Sequence, residues 1–117
     1  MSAVSTHVLD TAAGRPAAGI PVRLEVVEAG GSSEIGRGVT GADGRLAGLG
    51  PARLEPGDYR LVFGTGAYLT GRSDAAGRQG AAFYPEIIVQ FTADGRDEHY
   101  HLPLLLSPFG YSTYRGS

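Results

Sequence analysis

Residues 21–28 read PVRLEVVE, with Val22, Leu24 and Val26 on one side of an extended chain and Arg23 and Glu25 on the other. Successive side chains of a strand point to opposite faces, so this alternation predicts a half-buried β-strand. Working outward, the same reading applies to Val4 to Leu9 and, more weakly, to Glu34 to Thr40. It continues with Tyr59 to Phe63 after the turn Glu55-Pro-Gly-Asp58, Glu86 to Phe91 before the turn Ala93-Asp-Gly95, His99 to Leu106, and Gly110 to Tyr114. The 19 Gly and 7 Pro residues fall between these runs as punctuation rather than as a low-complexity block. Seven or eight short strands at this spacing predict an all-β, antiparallel sandwich or barrel. One interval, AYLTGRSDAAGRQGAA at 67–82, has no period of two. It is expected to hold one short helix from Ala67 to Asp74, weakened by Gly71.

A length of 117 residues makes residues 1–117 a single domain, and 42% hydrophobic content fills one modest core. The charged fraction is 19% and the net charge is -2, so no polybasic surface for nucleic acid is expected. Every basic residue apart from histidine is Arg, which excludes lysine Schiff-base chemistry. Without cysteine there are no disulfides, thiolate metal sites or Cys nucleophiles. The opening MSAVSTHVLDTAAGRP has no basic n-region and no long apolar run, so it does not read as a signal peptide. No stretch approaches the ~20 apolar residues of a membrane helix. The expectation is a soluble, cytoplasmic chain with no membrane partner.

Three histidines and one arginine stand out. His99 and His101 share a strand face, and with His7 they could form a metal site, although H-x-H on a strand usually marks exposed polar residues. His101 leads into the apolar run LPLLLSP, and a ring bordering that run is expected to be partly desolvated and to favour its neutral form. His7 lies in STHVLD, on one face with Ser5 and Leu9. Arg45 follows the turn Asp43-Gly44, where it is either solvated or, if it points into a pocket, a two-pronged clamp for a carboxylate-like or urea-like group. There is no G-x-S-x-G elbow, phosphate loop or dinucleotide fingerprint. Residues 18–63 taken alone fit equally well a prealbumin-like accessory module without an active site.

Four segments in order resolve that ambiguity: Ser5-Thr-His-Val-Leu-Asp10, Gly41-Ala-Asp-Gly-Arg-Leu46, Phe83-Tyr-Pro-Glu86, and HYHLPLLLSPFGYSTYRGS from His99 to Ser117. Together they closely resemble the 5-hydroxyisourate hydrolase family, the transthyretin-related enzymes of urate breakdown, over essentially the whole chain. The most specific element is Tyr114-Arg115-Gly116-Ser117, the C-terminal signature of that family. Transthyretin shares the LLSP and YST segments but lacks this ending and the histidine matching His101. The segment between Tyr68 and Phe83 departs from the family in its length and its Gly and Ala content.

The resemblance implies a transthyretin-like (prealbumin-like) two-sheet sandwich of about eight strands, assembled as a homotetramer with active sites where subunits meet. It implies hydrolytic opening of the small-molecule substrate 5-hydroxyisourate to a carboxylated ureidoimidazoline. His7 and His101 would be the catalytic residues, and Arg45, Tyr114, Arg115 and Ser117 would bind substrate, with no metal and no organic cofactor. A neutral imidazole can take a proton from water and return it to a leaving nitrogen. His99, ~6.5 Å from His101 along the strand, is expected to lie outside the site or at its rim. The alternative is a non-catalytic transthyretin-like carrier or a structural prealbumin-like module, for which the C-terminal tetrapeptide would matter only to stability.

Overall fold

The computed structural model describes residues 2–71, 82–97 and 99–116. Alternating patterns become strands β1 (Val4–Asp10), β3 (Pro21–Glu28), β6 (Gly57–Phe63), β7 (Ile87–Ala93), β8 (Tyr100–Ser107) and β9 (Gly110–Thr113). β4 (Gly31–Val39) begins earlier than its weak pattern suggested, because its first four residues are all exposed and carry no apolar signal. Two further strands are β2 (Arg15–Pro16) and β5 (Arg45–Leu49). Neither shows a period of two in the sequence. β2 has only two residues, and a register shift against β1 interrupts β5 next to Gly48, whose φ is +80°.

The strands form two sheets facing each other across one core. In the first, β1 pairs along its whole length with β8, while its other edge pairs with β2 and β5, and β9 follows β8. In the second the order is β4-β3-β6-β7. All pairs are antiparallel except β1 with β8, which run parallel because β8 reaches the first sheet by crossing over from β7 in the second. Phe63, Leu24 and Leu61 of one sheet meet Val4, Val8, Leu104 and Leu106 of the other, all 1% exposed or less. Each such side chain contributes roughly 1.5–3 kcal/mol by leaving water.

The helix expected from Ala67 to Asp74 is a shorter one, α1 (Gly66–Thr70), held by the buried Leu69 and ended at Gly71. Residues 72–74 lie outside the described residues. The Tyr68 hydroxyl on α1 donates to the buried Asp10 carboxylate of β1 at 2.6 Å, which ties the helix to the first sheet. Among the described residues, no helix is long and apolar enough to cross a membrane.

The first sheet positions the side chains that the sequence singled out. Along β1 the inward residues Val4, Thr6, Val8 and Asp10 are buried, and along β8 so are Tyr100, Leu102, Leu104 and Leu106. The alternate set, Ser5 and His7 on β1 and His101, Pro103 and Leu105 on β8, therefore faces away from the core.

Candidate active site

Register across the first sheet builds the site. One row of opposed residues runs Arg45–His7–Pro103 across β5, β1 and β8. The adjacent row runs Ser5–His101–Gly116, from β1 through β8 to an isolated bridge beyond β9. Opposed residues share a face. Two histidines, an arginine and the C-terminal segment thus come together on the outward face, although 38 residues separate His7 from Arg45 and 56 more precede His101 in the chain (45 − 7 and 101 − 45).

The turn at 41–44 sets the His7 ring. Gly44 N donates to Gly41 O at 2.9 Å, and Arg45 N donates to the Asp43 carboxylate at 3.0 Å. Gly44 has φ +77°, open to glycine at little cost, and a Cβ there would stand 2.4 Å from Val8 O. This geometry turns Asp43 O toward His7 Nε2, 2.9 Å away. A carbonyl oxygen only accepts, so His7 carries a proton on Nε2, and its neutral form has a bare Nδ1.

His101 is held on three sides. Its Nδ1 lies 2.8 Å from Ser5 Oγ, and the same oxygen lies 2.9 Å from His99 Nε2. Gly116 N donates to His101 O at 2.7 Å, and a Cβ at 116 would come within 2.6 Å of His101 Cδ2. Nδ1 therefore faces β1, the Cδ2 edge lies against Gly116, and Nε2 is left for a ligand. Burial holds the His101 pKa below the ordinary imidazole range, and the charges of His99, Arg45 and His7 push the same way; only hydrogen bonding with the Ser5 backbone works against them. The neutral ring is the favoured form, as expected for a histidine bordering LPLLLSP.

The remaining expected residues divide. Tyr114 is 56% exposed. The Arg115 guanidinium makes an ion pair with Asp97 at 3.0 Å and lies 4.9 Å from the centre of the Tyr100 ring. Tyr100 and His101 are consecutive on β8 and face opposite sides, so the Arg115 side chain is not brought to His101; only its backbone passes close by. Ser117 lies outside the described residues. Among the described residues, no group of three or more acidic or histidine side chains could hold a metal ion. Clefts of about 270 Å³ against Arg23, Arg37 and Val62, and about 230 Å³ against Phe91, Tyr100 and Thr113, contain none of His7, Arg45 and His101. We locate the site by its chemistry, on an open sheet face in the single chain.

The HIUase/Transthyretin family model matches residues 4–116. The chain belongs to this family. It is 44% identical to a 5-hydroxyisourate hydrolase of Salmonella dublin over 97% of its own length and 80% of that protein. The 5-hydroxyisourate hydrolase structure of Klebsiella pneumoniae aligns at 38% identity, covering all of both chains with a TM-score of 0.80. Transthyretin of Sparus aurata aligns at 32% identity over 99% of this chain and 97% of that one, with a TM-score of 0.84. The family thus includes a fold neighbour that is named a hydrolase and one named transthyretin.

Sequence reasoning passed over Ser5 and placed His99 outside the site. Their signal was weak: each lies two residues before a histidine already singled out. Only the parallel register of β1 on β8 places Ser5 opposite His101 and within reach of His99.

Proposed function

We propose that this protein hydrolyses 5-hydroxyisourate, as the names of its relatives state for them, and that it does so in urate breakdown. The observation that carries this reading is the convergence of His7, Arg45 and His101 on one sheet face. A cyclic amide needs an activated water, a clamp for its carbonyl and N–H edge, and a proton for the leaving nitrogen. His101, neutral and with Nε2 free, takes a proton from water as the oxygen attacks the ring carbonyl. The ring C–N bond breaks, the held proton passes to the nitrogen to complete the ureido group, and the new carboxylic acid releases the other proton of the water to solvent as it becomes a carboxylate. His7, with its Nδ1 bare, is the second acid–base group. Arg45 offers a planar, permanently charged fork to the partly anionic substrate. The C-terminal segment up to Gly116 forms a wall of the pocket, Gly116 by its contact with His101. We also assign Tyr114, the Arg115 backbone and Ser117 to substrate binding.

The reading includes a homotetramer and a cytoplasmic location. The open site face and the β7 and β9 edges, which have no neighbouring strand among the described residues, support association with further copies.

Purified protein should accelerate the loss of 5-hydroxyisourate absorbance and keep doing so in EDTA; absence of turnover would sink the reading. The pH dependence has a definite sign. Because the His101 pKa is lowered, the base stays neutral below the ordinary value of ~6.5, and kcat/KM should hold its plateau past that point before falling in acid. A half-maximal point at or above ~6.5 would exclude His101 as the base.

Gly116→Ala tests the wall. The added methyl must displace the His101 ring, so kcat should fall on the order of 10-fold to 10²-fold with little change in stability. Full activity in that variant would remove Gly116 from the site.

A further inference from the structure

We propose that Ser5 and His99 form a hydrogen-bonded relay behind His101 that holds its ring with the proton on Nδ1 and Nε2 bare, which makes Ser5 a positioning residue. This inference rests on the function proposed above. Ser5 is 8% exposed, and its oxygen sits between two ring nitrogens at 2.8 and 2.9 Å. A hydroxyl has one proton to donate and lone pairs to accept with. It can therefore donate to one imidazole and accept from the other, in one of two senses.

In the first sense His101 Nδ1–H donates to Ser5, and Ser5 donates to His99 Nε2. His101 Nε2 is then bare and able to accept a proton. In the second, His99 Nε2–H donates to Ser5, and Ser5 donates to His101 Nδ1. His101 Nε2 then carries the hydrogen and cannot act as a base. Only the first sense survives the reaction unchanged. When Nε2 takes the proton from water, the imidazolium still donates through Nδ1, and its bond to Ser5 becomes charge-assisted. The proton then leaves from Nε2 to the departing nitrogen, and nothing passes along the relay. That bond offsets part of the opposition to a charge on His101 from the groups that face it: Arg45 on β5, His7 on β1 and His99 just before β8. From the C-terminal side, Arg115 is turned away to Asp97. The backbone of Gly116 closes the Cδ2 edge, so the ring is held from both flanks.

The test reads the tautomer without substrate. Histidine-labelled protein is examined by nitrogen NMR at about pH 8, where imidazoles are neutral. Wild type, Ser5→Ala, Ser5→Thr and His99→Ala are compared, alongside kcat and KM. Wild-type His101 should be protonated on Nδ1 alone. Ser5→Ala should mix the two tautomers and lower kcat about tenfold, with KM little changed, and Ser5→Thr should recover both. His99 is exposed, so His99→Ala leaves the fold intact and reports on the relay even if Ser5→Ala does not fold. It should mix the tautomers too. A wild-type ring protonated on Nε2 would overturn the relay, as would His99→Ala with unaltered tautomer and kcat. The expected tautomers in a wild-type protein that fails to turn over 5-hydroxyisourate would support the relay and overturn the substrate reading.

Discussion

His101→Asn is expected to cut kcat by about 10²–10⁴-fold, the usual contribution of a positioned general base. Asparagine is polar and smaller than histidine, but has no nitrogen that can hold a proton from water. The fold should tolerate it. His101 is only partly buried and points away from the core, and the bond from Gly116 N goes to its backbone oxygen at 2.7 Å, so the C-terminal segment stays docked. An unchanged circular dichroism spectrum and melting temperature, with turnover nearly abolished, is the expected result. His7→Asn should show a loss of the same kind, because its ring is outward-facing and set by Asp43 O rather than by packing. If His101→Asn kept more than a tenth of the wild-type rate, His101 would not be the base.

Gly44→Ala should destabilise the protein by about 2–6 kcal/mol. Two costs combine. A left-handed backbone at a non-glycine residue costs ~1–3 kcal/mol, and forcing a methyl into packed surroundings costs a further ~1–3 kcal/mol. The surroundings have little room to yield. The new Cβ would sit 2.4 Å from Val8 O, which already accepts from Ala17 N at 2.9 Å, and 2.9 Å from Pro16 Cβ. Val8 N also donates to Gly44 O at 2.8 Å, so backing away breaks a second bond. Gly14→Ala is the control: its φ is +69°, but nothing lies within 4 Å of the added carbon, so only the conformational cost remains. Urea unfolding of the two variants measures the difference. Equal losses would mean that the contact with Val8 is relieved by a small shift. The folded fraction of Gly44→Ala should also lose activity, because the same turn aims Asp43 O at His7 and starts β5 at Arg45.

What could be read ahead of the structure followed from local physics. Val22, Leu24 and Val26 alternate because one face of β3 is buried, and Tyr59 to Phe63 and His99 to Leu106 are marked as strands by the same alternation or apolar weight. β2 and β5 escaped notice because a two-residue strand has no period and a register shift erases one. The early start of β4 escaped because four exposed residues carry no hydrophobic contrast. His7, Arg45 and His101 were legible as a set through the resemblance of their segments to a family, not through spacing. The tetrapeptide at 114–117 was read as one unit, yet its contacts divide it: Gly116 lies against His101, while the Arg115 side chain joins Tyr100 and Asp97.

The sequence by itself determined an all-β fold, the approximate positions of most strands, and the family whose motifs the chain carries, since periodicity and residue order are properties of the chain. Only the tertiary structure decided which residues meet. The crossover that makes β8 run parallel to β1 sets Ser5 against His101 and His7 against Pro103, and β5 closes on the other edge to set Arg45 against His7. Those pairings depend on how two sheets share one core, a long-range compromise among buried side chains that no local pattern along the chain encodes.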